Sequence, residues 1–203
     1  MLTIKNTEVF GLERALIASG NAFSVGEIDT RYDGNINDAR YKTVKKLGSA
    51  KIGSGHDHFL LGIHVQFDIL YPQYWTIEAE RYHNFEIITS QSKMHRLVFA
   101  AKDAASFPKL FNKYVDEDLI LNVYLYCNYY EKTEEPEEKY KWFMKALSNL
   151  PMGYEMWMTC DLTYLQLKTI YFQRKTHKLK EDWGAFCEWC EQLPVFKELV
   201  GIE

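Results

Sequence analysis

The sequence predicts an α+β fold, and three stretches carry that prediction. Residues 56–69 alternate apolar and polar side chains, the period of a half-buried strand. Residues 103–150 read as a succession of helices. Residues 162–193 carry an apolar stripe at alternating spacings of three and four, the period of a helix.

In chain order, Tyr32–Asp38 is a loop by its Gly, Asn and Asp content. Ala39–Gly48 reads as a short helix closed by Gly48. In the strand over 56–69, Phe59, Leu61, Ile63, Val65, Phe67 and Ile69 share one face. His56, His58, His64, Gln66 and Asp68 share the other. Pro72 suits a first helical turn, where its missing N–H is not needed, and a helix is predicted from there to about Ile87. Thr89–Arg96 follows as a donor-rich loop. Helices are predicted over Ala104–Tyr114, Glu117–Tyr130 and Glu137–Leu150. The middle one is apolar almost all round, which predicts burial on both sides. Glu131–Lys139, around Pro136, reads as an acidic solvated loop. The last stripe predicts a helix capped by Asp161, followed by Pro194 and roughly 48 Å long at 1.5 Å per residue. No internal repeat or Gly/Ser linker divides the chain, so one domain over residues 1–203 is expected.

Composition narrows the function. The net charge is -4, and no basic stripe is present, which argues against a nucleic-acid polymer as partner. A mononucleotide needs only one or two arginines and stays open. The first residues lack the apolar core of a signal peptide, and no 18-residue apolar run is present, so no membrane span is expected. Four cysteines, unevenly spaced, do not make a secreted disulfide framework, and a cytoplasmic location is expected. Aromatic residues are 15% of the chain, enough for a large core and for platforms that stack flat ligands.

Several clusters can bear chemistry. His56, His58 and His64 on one strand face suit a metal, a hydrogen-bonded structural role or a cofactor wall. No H-E-x-x-H or paired-Cys motif supports the first, and no metal site is predicted. Cys187-Glu-Trp-Cys190 lies on the apolar stripe and reads as a structural pair rather than a redox centre. Arg81, Tyr82 and His83, followed by Ser90, Gln91, Ser92, Lys93, His95 and Arg96, concentrate donors suited to an anion such as phosphate. Glu78 lies three residues before Arg81. Arg174 and His177 share a side where the last helix leaves its most apolar stretch. A buried Arg there needs a partner, either a carboxylate such as Glu78 or a ligand phosphate. Nothing in the chain matches G-x-S-x-G, a P-loop or G-x-G-x-x-G.

The order of these pieces resembles the flavin-dependent thymidylate synthases, the ThyX family. Gly55-His56 precedes a strand containing Ile63-His-Val-Gln-Phe-Asp-Ile69. Glu78-Ala-Glu-Arg81-Tyr82-His83 stands where the family has Gln-x-x-Arg-His-Arg. Ser90–Arg96 stands where it has a Ser-x-Arg loop, and Leu150-Pro151 and a helix reaching Arg174 follow. The likeness spans roughly residues 45–185. Departures are Tyr82 and His83 in the Arg-His-Arg motif, Glu78 for Gln, a longer loop before Ser92, and Leu147 where the family has Arg. Thr163, Leu165 and Thr169 replace the polar residues that face flavin in the family.

The resemblance implies a twisted, mainly antiparallel sheet flanked by helices with a long C-terminal helix. It further implies a homotetramer with active sites between subunits. The implied cofactor is FAD, with methylenetetrahydrofolate and NADPH as co-substrates. The implied reaction is reductive C5 methylation of a deoxyuridine monophosphate-type nucleotide. The alternatives are modification of another pyrimidine nucleotide, by hydroxymethylation or on a dCMP-type substrate, and a non-catalytic nucleotide-binding relative. By the same resemblance Arg174 faces the pyrimidine. His56, Arg81, His83, Thr169 and His177 contact flavin, and Glu78, Ser90, Gln91, Ser92 and Arg96 bind the nucleotide. Tyr74, Trp75, Tyr82 and Tyr171 are the stacking candidates.

Overall fold

A computed structural model describes residues 2–27, 39–82 and 85–202. The loop predicted over Tyr32–Asp38 lies outside the described residues, as does His83. The elements run β1 (Thr3–Phe10), α1 (Leu12–Ala18), α2 (Ala39–Gly48), β2 (His64–Pro72), α3 (Gln73–Ala79), β3 (Glu86–Ser90), α4 (Lys93–Ala100), α5 (Glu117–Lys132), α6 (Pro136–Ser148), β4 (Glu155–Thr163), α7 (Tyr164–Arg174), α8 (Lys180–Glu191) and α9 (Phe196–Val200). The strands form one antiparallel sheet in the order β1-β2-β4-β3, so the fold is α+β. No helix among the described residues is long and apolar enough to cross a membrane.

The chain forms two compact units. The first comprises Leu70–Arg81 and Thr89–Met158. Its core is a run of rings in which Phe107 meets Phe111 at 5.5 Å and Tyr124 at 5.4 Å, and Phe111 meets Tyr154 at 5.4 Å. Rings at these spacings contribute about 0.5–1.5 kcal/mol per pair beyond area burial. Here α5 and α6 pair as a helical hairpin, with Trp142 set against Tyr126 and Tyr129. Burial on both sides of α5 is not found. Val123 and Cys127 face inward, while Leu119, Leu121, Leu125 and Tyr129 are exposed. The helix predicted over Ala104–Tyr114 is reduced to a 3-10 turn, Phe107–Leu110, because Pro108 cannot join an α-helical interior. The acidic loop shrinks as well. Pro136 occupies the first position of α6, and the Glu135 carboxylate accepts from the Glu138 N–H at 2.7 Å as its cap.

The second unit comprises Leu2–Ile69, Tyr82–Ile88 and the chain from Thr159 onward. Phe67 of β2 packs against Phe186 at 6.4 Å and Trp189 at 4.4 Å, both on α8. On the opposite face of the strands, the His64 ring lies 3.0 Å from Asp161, Gln66 donates to Asp161 at 3.1 Å, and Thr159 donates to Asp68 at 2.6 Å. That face of β2 was legible as polar. The strand itself starts later than predicted, at His64. His56 lies in a turn with Gly53 and Gly55 at positive φ, and His58 opens a 3-10 turn. The three histidines therefore do not share a strand face.

The long C-terminal helix is replaced by three elements. Leu162 belongs to β4, Leu165 to Arg174 belong to α7, and Trp183 to Cys190 belong to α8. Asp161 is a strand residue and caps nothing. The cap is Thr163, whose hydroxyl accepts from the Gln166 N–H at 3.3 Å while Gln166 Oε1 accepts from the Thr163 N–H at 2.6 Å. After Arg174, His177 Nδ1 accepts from the Leu179 N–H at 3.2 Å, and α8 begins at Lys180 with Glu181 and Asp182 in its first turn. The helix predicted from Pro72 ends at Ala79, and the chain enters β3, where Ile87, Ile88 and Thr89 favour extended backbone.

Candidate active site

Five cleft residues come from the end of β4 and from α7. Leu162, Leu165, Gln166, Thr169 and Ile170 line a largely apolar cleft of about 270 Å³, closed by Tyr82 and Phe85. The Thr163 cap sets where α7 starts and so turns Leu165, Thr169 and Gln166 toward the cleft. The Thr169 hydroxyl donates to the Leu165 carbonyl at 3.1 Å, which leaves its oxygen able to accept from a ligand.

Arg174 ends α7, one turn beyond Ile170. Its Nε donates to the Tyr82 hydroxyl at 2.5 Å. The guanidinium lies 5.1 Å from the Tyr82 ring centre and 4.7 Å from that of Trp183. Aromatic faces attract a cation electrostatically, so both rings favour the charged guanidinium. His177 meets the edge of Trp183 at 6.3 Å. Tyr82, Thr169, Arg174 and His177 are thus gathered within one unit. Tyr82 is the stacking candidate that reaches the cleft. Trp75 is 0% exposed and Tyr171 is buried with its hydroxyl donating to Glu191 at 2.6 Å, so both are core. Tyr74 accepts a hydrogen bond from Asn112.

On α7, the sequence reading missed Lys168. It is 2% exposed, and its ammonium donates to the Asp57 carboxylate at 2.6 Å and to the carbonyls of Gly48 at 2.8 Å and Ala50 at 2.6 Å. All three ammonium protons have acceptors, as a buried charge requires. This anchor holds the segment 48–57 on α7, and His56 is an exposed residue of that segment. A lysine inside the apolar run Leu167 to Phe172 was the signal available in the sequence.

The donor-rich segment belongs to the other unit and is not a loop. Thr89 and Ser90 end β3, and Ser92 precedes α4. Gln91 extends the sheet pairing, its N–H donating to the Trp157 carbonyl at 2.9 Å and its Oε1 accepting from the Trp157 N–H at 3.0 Å, and its side-chain NH2 is not used in these two bonds. Arg96 Nη1 donates to the Glu155 carbonyl at 2.8 Å, and its guanidinium lies over the Tyr154 ring. Lys93 donates to Gln73 at 2.8 Å. Ser90 and Ser92 are exposed, Arg81 is exposed beyond α3, and Glu78 is half-buried within it.

Burial pushes the thiols of Cys127 and Cys160 up to about 12 and that of Cys187 up to about 11, and raises Cys190 as well. Cys187 and Cys190 are free thiols, and so high a pKa leaves almost no thiolate for redox chemistry. Among the described residues, no group of three or more His, Cys, Asp or Glu side chains can hold a metal.

No family model matches the sequence, and no curated protein matches it. Solved structures do. Flavin-dependent thymidylate synthase ThyX from Helicobacter pylori, complexed with FAD and dUMP, aligns with a TM-score of 0.68. That alignment is 12% identical and covers 98% of this chain and 96% of the other.

The chain has the ThyX fold.

A second structure of Helicobacter pylori ThyX with FAD and dUMP gives a TM-score of 0.71 at 13% identity, covering 98% of this chain and 97% of that one. The UMP/dUMP methylase PolB from Streptomyces cacaoi, bound with 5-Br dUMP, gives 0.63 at 14% identity, covering 99% and 95%. At these identities the likeness to ThyX and PolB is one of fold.

Proposed function

We propose that the protein is a pyrimidine-nucleotide-modifying flavoenzyme that carries out FAD-dependent, methylenetetrahydrofolate-linked C5 methylation of a deoxyuridine monophosphate-type nucleotide. The observation that carries this reading is Arg174, held by aromatic rings next to an apolar cleft lined by α7, in a fold whose solved relatives hold FAD and dUMP. The cleft chemistry fits one flat ring. Leu162, Leu165, Ile170 and Phe85 give apolar walls, and Thr169 and Gln166 give polar atoms. Its volume of about 270 Å³ suits a ring system rather than a whole dinucleotide.

In this reading His56, Arg81, His83, Thr169 and His177 hold FAD, which supplies reducing equivalents when bound. The nucleotide is held by Glu78, Ser90, Gln91, Ser92 and Arg96, with Ser92 and Arg96 on its phosphate. Arg174 meets negative charge that develops on the pyrimidine, the electrostatic task such a reaction sets. NADPH is the reductant, and the working form is a homotetramer in the cytoplasm. A second reading, action on another pyrimidine nucleotide, is favoured by Glu78. A carboxylate repels an enolate and accepts from an amino-bearing base such as cytosine.

The test is the absorbance spectrum of the purified protein with and without dUMP, beside rescue of a thymidine-requiring strain. A flavin band perturbed by dUMP, together with rescue, is expected. A colourless protein that FAD cannot reconstitute overturns the flavoenzyme reading. Turnover of dCMP in preference to dUMP selects the second reading.

A further inference from the structure

We propose that Lys168 is a positioning residue that closes the exposed loop 51–56 and holds it in the frame of α7 for FAD. The proposal rests on the functional reading above, which gives His56 to that cofactor. One ammonium grips both ends of the loop. It donates to the carbonyls of Gly48 and Ala50 on the entering side, at 2.8 and 2.6 Å, and to the Asp57 carboxylate on the leaving side, at 2.6 Å. Lys168 and Asp57 are 2% and 3% exposed. Residues 51–56, between the two ends, are all exposed.

Stability alone does not account for the pair. Taking two charges out of water is costly, and an apolar pair of like volume is often as stable or more so. What an apolar pair lacks is direction. Three short bonds from one atom fix where the loop begins and ends, and His56 adjoins the residue gripped at its end. Inside the loop, Gly53 and Gly55 take positive φ, and a Cβ on either would stand in open space among the described residues. The placement of the loop therefore falls to its ends. The helix that carries Lys168 also presents Leu165 and Thr169 to the cleft, so clamp and cleft share one element.

Three variants separate placement from stability. Each is followed by urea unfolding, by hydrogen exchange of residues 48–58 in the cofactor-free protein, and by titration with FAD. Lys168→Met strands a buried carboxylate and should lower both the urea midpoint and the FAD affinity. Adding Asp57→Leu should restore the midpoint, while residues 48–58 still exchange faster than in the wild type. FAD should bind that double variant about tenfold more weakly, because the loop must then be ordered on binding. Asp57→Asn keeps an acceptor for the ammonium, and should lose stability yet keep wild-type FAD affinity. FAD affinity that simply follows the midpoint across the variants overturns the positioning role and leaves the functional reading standing. If the double variant does not fold, Asp57→Asn decides, and FAD affinity lost there overturns the role. A wild type that binds no FAD overturns the functional reading, and the positioning role with it.

Discussion

Single residues make the sharpest predictions. Lys168 and Asp57 are both buried with their charges paired at 2.6 Å. Removing one partner strands the other, a loss of about 3–5 kcal/mol, so Lys168→Met should lower the urea midpoint by that equivalent. Arg174 is the residue on which the proposed chemistry depends. Arg174→Ala should abolish turnover of dUMP while leaving the far-ultraviolet dichroism spectrum unchanged, and retained turnover would remove it from the site. Asp68 offers a pH test. The Thr159 hydroxyl, then the Asn6 amide, hold its carboxyl below the ordinary value of 3.8. A lowered folded-state pKa stabilises above the unfolded value and loses that contribution as pH falls through the folded one. Thr159→Val should therefore destabilise at neutral pH by a margin that disappears in strong acid, read from urea melts at both pH values.

At the scale of elements, the termini of α7 decide most of the site. The capping box at Thr163 and Gln166 starts the helix where Thr169 and Gln166 meet the cleft. Thr163→Ala should cost about 1 kcal/mol by thermal or urea unfolding, the usual worth of a helix cap. The signal for this start, Thr-x-x-Gln, stood in the sequence but was overridden by the apolar stripe running through it. A stripe at helical spacing reports which residues are buried, not that one helix carries them. Leu162, Phe172 and Phe186 keep the spacing across a strand and two helices. The α2 helix was legible to the residue because it is short, local and closed by Gly48. His56 and His58 were misplaced because alternation continued by chance across a turn and a 3-10 turn before β2.

For the whole molecule, the α+β class and the ThyX fold were legible from the order of loosely matching motifs, since backbone architecture tolerates sequence change that ligand contacts do not. The aromatic contacts of Arg174 were not legible, because Tyr82 and Trp183 are far apart in the chain and meet only in the fold. Burial of the thiols gives a property of the whole chain. Their folded-state pKa values are raised above the ordinary 9.0, so the contribution to stability is complete below that value and is lost as pH rises through about 11 to 12. Stability measured by urea unfolding should hold to about pH 9 and then decline, and Cys160→Ala should flatten the decline.

The Lys168 anchor has a practical consequence. Its amine has no solvent path and all its protons are shared, so a lysine-acylating reagent that modifies surface amines at once can reach Lys168 only when the segment 48–57 lifts from α7. The rate at which mass spectrometry finds that single lysine labelled is then a clock for one local opening, intrinsic to the chain and requiring no added probe.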